Sequence, residues 1–96
     1  MASKRVLKQE INAIAGELFF ECLFCKLYLP NTDSRKADEV LGKILSLQDE
    51  FLRRANNYDG KEEKKIVRNY FKKLNADLQK QLDEIVADIE ALGQTR

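Results

Sequence analysis

The sequence contains one pair of residues with recognisable site chemistry, Cys22 and Cys25, which form a C-x-x-C motif. Such a pair is typical of a dithiol redox site or of half a zinc site. A redox pair usually lies at a helix N-terminus, where the helix end lowers the thiol pKa, whereas this pair falls deep inside a predicted helix. A zinc site needs four ligands, and the chain has no histidine and no other cysteine. We therefore interpret both cysteines as small core residues and expect no cofactor; a dithiol redox pair and a metal site shared across a dimer are the alternatives.

Other candidates for catalysis are limited to carboxylates, lysines and tyrosines, because the chain has neither histidine nor a glycine-rich phosphate loop. Glu17 and Glu21 are four residues apart and would share one helix face. Paired carboxylates hold metals in some helical bundles, but the Glu-x-x-His motifs of those bundles are missing here. We expect that the protein is not an enzyme.

The elements that carry these residues are predicted to be helices throughout. One proline, four glycines and 34% charged residues in 96 are typical of long solvated helices. The apolar spacing predicts three helices, at about 4–28, 35–57 and 61–92. Because the connections between them are short, neighbouring helices should run in opposite directions. The expected fold is all-α: a single domain over residues 1–96, forming an up-down-up three-helix bundle with a long C-terminal helix.

Turn-forming and capping residues mark where these helices begin and end. Pro30 stops the first helix, and one of the four residues 31–34 caps the second. The segment 56–60 is expected to separate the second helix from the third, and Gly93 is expected to end the third helix. Gly16 lies in the middle of the first helix, where we expect it to permit a close helix crossing.

The segment 19–29, FFECLFCKLYL, has apolar residues in every direction around the first helix. One arc of that helix is an ordinary core stripe, formed by Leu7, Ile11, Ile14, Ala15, Leu18, Cys22, Cys25 and Leu29. The remaining directions are filled by Phe19, Phe20, Leu23, Phe24, Leu27 and Tyr28. Two neighbouring helices cover about half of a helix circumference, and a helix that is apolar all round is normally buried all round. These residues therefore predict a partner interface; the alternative is that the other helices wrap the segment closely.

The third helix is predicted to extend past the other two, which gives a second indication of a partner. Its apolar residues recur at intervals of four and three, and the last of them are expected to lie beyond the shorter helices. We therefore add Ile85 and Ile89 to the predicted interface. The expected assembly is a homodimer in which two bundles form a larger one, and another protein is a possible partner.

The charges of the third helix separate into a basic first half and an acidic second half. The basic residues, which fall in one arc, are Lys61, Lys64, Lys65, Arg68 and Lys72. The acidic residues are Asp77, Asp83, Glu84, Asp88 and Glu90. The simplest interpretation of this pattern is a helix whose charged residues face solvent. The functional alternative is that the basic residues bind the phosphates of a nucleic acid, although a net charge of +1 gives the chain no overall attraction to one. The third helices of two chains could also pair in opposite directions, so that the basic half of each lies on the acidic half of the other. Such pairing would fix the register of a dimer.

No segment of the sequence predicts export or membrane insertion. The basic start is followed by Glu10, Glu17 and Glu21, which interrupt the apolar core that a signal peptide requires. No run approaches the roughly 18 apolar residues of a transmembrane span. Peripheral membrane attachment through Phe20, Phe24 and Leu27 is disfavoured by the adjacent Glu21. The sequence predicts a cytoplasmic, non-enzymatic helical module that self-associates through apolar helix faces, and it does not indicate a biological process.

Overall fold

A computed structural model describes residues 4–57 and 64–94, and within these ranges the chain forms three α-helices and no strand. Helix α1 spans Lys4–Tyr28, α2 spans Ser34–Asn56 and α3 spans Lys64–Gln94. The all-helical prediction is confirmed. Gly93 does not end α3, which continues to Gln94. The start of the third helix predicted at residue 61 lies outside the described residues.

The turn between α1 and α2 is fixed by Asp33, one of the four predicted capping residues. Its backbone is extended, and its carboxylate accepts hydrogen bonds from the amides of Arg35, at 2.9 Å, and Lys36, at 3.4 Å. These amides have no partner within the helix, so a cap of this kind typically stabilises a helix by about 1 kcal/mol.

The core lies between the three helices and is built from the apolar stripes that the sequence predicts. The largest side chains with almost no exposed surface are Phe51, Ile11, Ile44, Leu47 and Leu74. Ile14 and Cys25 of α1, Leu41 and Leu52 of α2, and Phe71 and Leu82 of α3 pack around them. Helices α1 and α2 share the most extensive packing, and α1 and α3 the least.

The register of the helices is given by polar contacts between them. In α1 and α2, the Gln48 amide donates to Asn12 at 2.8 Å, and the Cys22 thiol donates to the Ala37 carbonyl at 3.4 Å. In α2 and α3, Arg54 pairs with Asp77 at 2.9 Å and Lys43 with Asp88 at 2.8 Å. In both helix pairs, as one helix is followed towards its C-terminus, its contacts in the next helix move towards that helix's N-terminus.

This register shows which end of α3 extends past its neighbours. About 20 Å of α3 precedes Asp77, whereas only about 3 Å of α2 follows Arg54. At the other end, about 9 Å of α3 follows Asp88, whereas about 14 Å of α2 precedes Lys43. The overhang is therefore the basic first part of α3, and α3 stops about one turn short of the opposite end of the bundle.

The expectation that the last apolar residues of α3 lie beyond the shorter helices is wrong. Ile85 is 3% exposed, Ile89 7% and Leu92 3%, because α3 lies alongside its neighbours over this part of its length. Val86 is 40% exposed. Its side chain points away from the core stripe, since it follows the buried Ile85 by one position.

The interpretation of Gly16 as a close helix crossing is also wrong. Gly16 is exposed, and a Cβ atom added to it would meet nothing within 4 Å. No neighbouring helix approaches its backbone, so packing does not require a glycine at this position.

Candidate interaction surfaces

An exposed apolar surface occupies the C-terminal half of α1, and we call it the aromatic surface. It consists of four side chains: Phe20 is 69% exposed, Phe24 48%, Leu27 61% and Tyr28 69%. The rings of Phe24 and Tyr28 stack at a tilt, with their centroids 5.0 Å apart. Exposed apolar side chains are ordinary when they occur singly, whereas contiguous groups of them are characteristic of interaction sites.

The structure divides the eight predicted interface residues into two groups. Only the four residues of the aromatic surface are well exposed. Phe19 is half-buried and packs against the core, and Leu23 is half-buried. Ile85 and Ile89 lie within the core, as described above, because α1 and α2 cover that part of α3.

On the side of the aromatic surface that faces α2, the neighbouring charges form an ion pair. Lys26 pairs with Asp38 at 2.6 Å, which ties the end of α1 to the start of α2. Glu21 is exposed between Phe20 and Cys22. The four apolar side chains are therefore bordered by charges but contain none.

The two cysteines differ in their surroundings. Cys22 is fully buried, and its thiol donates to the Ala37 carbonyl. Burial raises the pKa of the Cys22 thiol, and the neighbouring Cys25 raises it further, so the thiol is held in its neutral form, which is neither a nucleophile nor a metal ligand. Cys25 is half-buried against the core. In residues 4–57 and 64–94, no three cysteine or carboxylate side chains are grouped so that they could hold a metal ion.

The basic residues predicted as an alternative site lie on the exposed surface of α3. Lys64, Lys65, Arg68 and Lys72 are all exposed, and most of them belong to the overhang. Lys61 lies outside the described residues. Tyr70, which is close to them in sequence, is directed into the bundle, where its hydroxyl donates to the Arg54 carbonyl at 2.6 Å.

The acidic residues of α3 serve two different roles. Asp77 and Asp88 form ion pairs with α2, to Arg54 and Lys43. The hydrogen bond from Arg54 lowers the pKa of Asp77, and the hydrogen bond to Asp88 raises the pKa of Lys43. Asp83, Glu84 and Glu90 are exposed.

A polar and aromatic group at the end of α2, which we call the Arg54 cluster, was missed by sequence reasoning. The Arg54 guanidinium lies 4.9 Å from the centroid of the Phe51 ring and pairs with Glu50 at 3.4 Å as well as with Asp77. The Tyr70 hydroxyl donates a hydrogen bond to the backbone carbonyl of Arg54, and the Tyr70 ring packs edge-on against Phe71, with ring centroids 5.8 Å apart. Only the spacing of Glu50 and Arg54, four residues apart on one helix, could have indicated part of it.

Comparison of the chain with protein-family models, with curated proteins and with solved structures found no match in any of the three. None of the helices in the described part of the chain combines the length and the apolar character that crossing a membrane requires.

Proposed function

We propose that this protein is a non-enzymatic interaction module of the cytoplasm: an up-down-up helical bundle that self-associates as a homodimer through the aromatic surface of α1. The observation that carries the proposal is the exposure of Phe20, Phe24, Leu27 and Tyr28 on one contiguous surface. In a two-fold dimer the same patch meets itself, and an apolar patch without charges is complementary to a copy of itself.

The expected dimer is weak. Full burial of a large apolar side chain is worth about 1.5–3 kcal/mol. The four side chains are about six tenths exposed on average, so the eight side chains of a dimer offer roughly 7–15 kcal/mol. Association costs about 4–15 kcal/mol in lost translational and rotational freedom. Additional burial of Leu23, at the edge of the surface, would add to the gain.

The non-enzymatic part of the proposal rests on the state of the reactive side chains. The buried Cys22 thiol is kept neutral and hydrogen-bonded. Asp77 and Asp88 are ion-paired within the chain, and the chain contains no histidine. In the described ranges, the Cys22 thiol and the Tyr70 hydroxyl donate to backbone carbonyls and not to a carboxylate, whereas covalent catalysis pairs the nucleophile with a general base.

The test is the solution mass by sedimentation equilibrium in 1 M NaCl, where charge contacts are screened beyond about 3 Å. We expect a dimer for the natural chain, a monomer for Phe24→Asp and a dimer for the control Leu45→Asp. Leu45 is a suitable control because it is 53% exposed but lies on α2, outside the aromatic surface. A natural chain that stays monomeric at millimolar concentration, or a Phe24→Asp variant that still dimerises, would contradict the proposal.

Nucleic-acid binding is the second candidate function, and the position of the basic residues favours it. The overhang carries Lys64, Lys65 and Arg68 on a part of α3 that the other helices do not cover. Phosphate contacts of this kind predict affinity for an oligonucleotide that falls steeply with salt. Replacing these three residues by glutamine should abolish it, whereas Phe24→Asp should leave it unchanged. Binding that is insensitive to salt or to the three replacements would exclude this function.

A further inference from the structure

The outer face of α3 carries a charged stripe that the core and the contacts with α2 do not use. Its residues recur at intervals of three, four or seven, which places them on one side of the helix. All are exposed, and we call them the outer stripe: Lys65, Arg68, Lys72, Gln79, Asp83 and Glu90. The core positions Leu74, Leu78, Ile85 and Ile89 lie on the opposite side.

The charges of the outer stripe take no part in the ion pairs that join α3 to α2. Asp77 and Asp88 face α2 and are paired there, which leaves Asp83 and Glu90 as acidic residues of the outer stripe. In the ranges that the structure describes, Lys65, Arg68, Lys72 and Glu90 form no ion pair, and Asp83 only accepts a hydrogen bond from Gln79 at 2.9 Å. The fold therefore leaves three cations and two carboxylates available to a partner.

The charges at the described ends of α3 are not those that the helix dipole favours. The partial positive charge of a helix N-terminus favours acidic residues there, and the C-terminus favours basic residues. The first described turn of α3 contains no acidic residue and the last turn no basic one, whereas α2 ends on Arg53 and Arg54 as the dipole favours. The described ends of α3 therefore do not carry the charges that the helix dipole favours, and a contact with another molecule is one reason for such an order.

The stripe is complementary to a copy of itself. Lys72 follows Lys65 by seven residues, and Glu90 follows Asp83 by seven residues. When two copies of α3 lie in opposite directions with a two-fold axis between residues 77 and 78, Lys65 faces Glu90 of the second copy and Lys72 faces its Asp83. The symmetry forms each pair twice. In a parallel pairing, lysine would face lysine.

Arg68 and Val86 add an apolar component to this arrangement. In the same register, Arg68 lies beside Val86 of the second copy. Val86 is 40% exposed in a single chain, and the aliphatic part of an arginine covers an apolar neighbour while its charge stays in water. Val86, a large exposed apolar side chain of the acidic half, thus meets a long side chain of the basic half.

We propose that the outer stripe of α3 binds the outer stripe of a second copy of this chain in the opposite direction. Exposed ion pairs are individually weak and screened by salt, so the contact is weak, salt-dependent and specific in register. It uses a different surface from the aromatic surface and does not rest on the proposed function. Two separate self-complementary surfaces on one chain produce assemblies larger than a dimer at low salt.

The test uses two charge-reversed proteins in the Phe24→Asp background, which removes the aromatic contact. Lys65→Glu with Lys72→Glu makes the stripe acidic, and Asp83→Lys with Glu90→Lys makes it basic. Both pairs of changes agree with the helix dipole and lie on exposed positions, so the helices should form, as circular dichroism would show. Mixed in equal amounts at about 20 mM NaCl, they should associate at least tenfold more tightly than either does alone, and 1 M NaCl should abolish the complex.

A matched control separates stripe pairing from general charge attraction. Arg35→Glu with Lys36→Glu in one protein and Glu10→Lys with Glu17→Lys in another reverse the same number of exposed charges elsewhere. If this control mixture associates as tightly as the stripe mixture, the proposal is overturned. A chain that carries all four stripe reversals should self-associate like the unreversed chain, because its charge order is inverted but still complementary.

The same proteins show whether nucleic acid occupies the stripe instead. In that case the basic-stripe protein would bind an oligonucleotide more tightly, the acidic-stripe protein would lose binding, and the two proteins would not form a complex with each other. That combination would overturn pairing between copies. Failure of Phe24→Asp to alter the dimer in 1 M NaCl, by contrast, would affect only the aromatic surface.

Discussion

The Arg54 cluster and the aromatic surface lie towards opposite ends of the bundle, and both are rich in aromatic side chains. In the cluster, Phe51 is fully buried beneath the Arg54 guanidinium, and Tyr70 uses its hydroxyl within the chain. On the aromatic surface, Phe24 and Tyr28 contact each other and otherwise face outward. The residue types are similar, but the number of helices around them is not.

The position of α3 accounts for part of this difference. It extends well past the end of α2 near Arg54, so a third helix covers that end. It stops about one turn short of the end that carries Tyr28, where only α1 and α2 remain. The four side chains of the aromatic surface also lie off the core stripe of α1, so none of the described helices covers them.

Replacing a phenylalanine by alanine should give the largest difference in stability between the two regions. Phe51→Ala should lower the free energy of unfolding by about 3–5 kcal/mol, because it leaves a cavity in a packed core. Phe24→Ala should change it by less than about 0.5 kcal/mol. Urea unfolding at concentrations where the protein is monomeric measures both. Equal losses would mean that Phe24 contributes to the core and that the two regions do not differ.

Removing a single tyrosine hydroxyl should give a smaller difference in stability between the two regions. Tyr70→Phe should cost about 1 kcal/mol, because the hydrogen bond to the Arg54 carbonyl is lost in a half-buried position. Tyr28→Phe should have almost no effect on unfolding, since its side chain is largely exposed. If the two variants unfold at the same urea concentration, Tyr70 does not hold α2 and α3 together.

The acid dependence of the Arg54 cluster should be the smallest effect. The hydrogen bond from Arg54 lowers the pKa of Asp77 below its usual value near 3.8 in the folded state. This carboxylate therefore contributes stability that is fully present above the unfolded-state pKa and is lost as the pH falls through the folded-state value. The difference in unfolding midpoint between the natural chain and Asp77→Asn should shrink as the pH falls from 7 to 2.

Nuclear magnetic resonance provides an independent check of that prediction. The pKa of the Asp77 carboxyl, followed directly by titration, should rise towards its ordinary value in Arg54→Gln. A pKa that does not move would show that Arg54 is not the group that lowers it.

Much of the fold follows from the sequence because it depends on local spacing. The core stripes, the stop at Pro30 and a cap among residues 31–34 were all predicted from residues close together in the chain. The exposed position of Phe20, Phe24, Leu27 and Tyr28 was anticipated for the same reason, since they lie off the core stripe.

The errors concern the register between helices, which local spacing does not determine. Helix lengths alone show that α3 is longest but not which end extends, and contacts such as Lys43 with Asp88 decide that. Ile85 and Ile89 were therefore placed on an interface although they are buried. The Arg54 cluster joins residues on two helices, and neither helix indicates it by itself. Gly16 was interpreted from its position in the middle of a helix, which does not reveal whether a neighbour is close.

The uneven packing of the helices also bears on how the chain folds. Helices that are adjacent in sequence share most of the packing, and the contact between α1 and α3 is the least extensive. Chains dominated by such short-range contacts close small loops and fold on the order of microseconds to milliseconds. We therefore expect the α1–α2 pair to form first, with α3 docking afterwards. In that order of events the apolar side of α2 that receives α3 would be exposed until α3 docks, and docking would be the step at which intermolecular misassembly competes with folding.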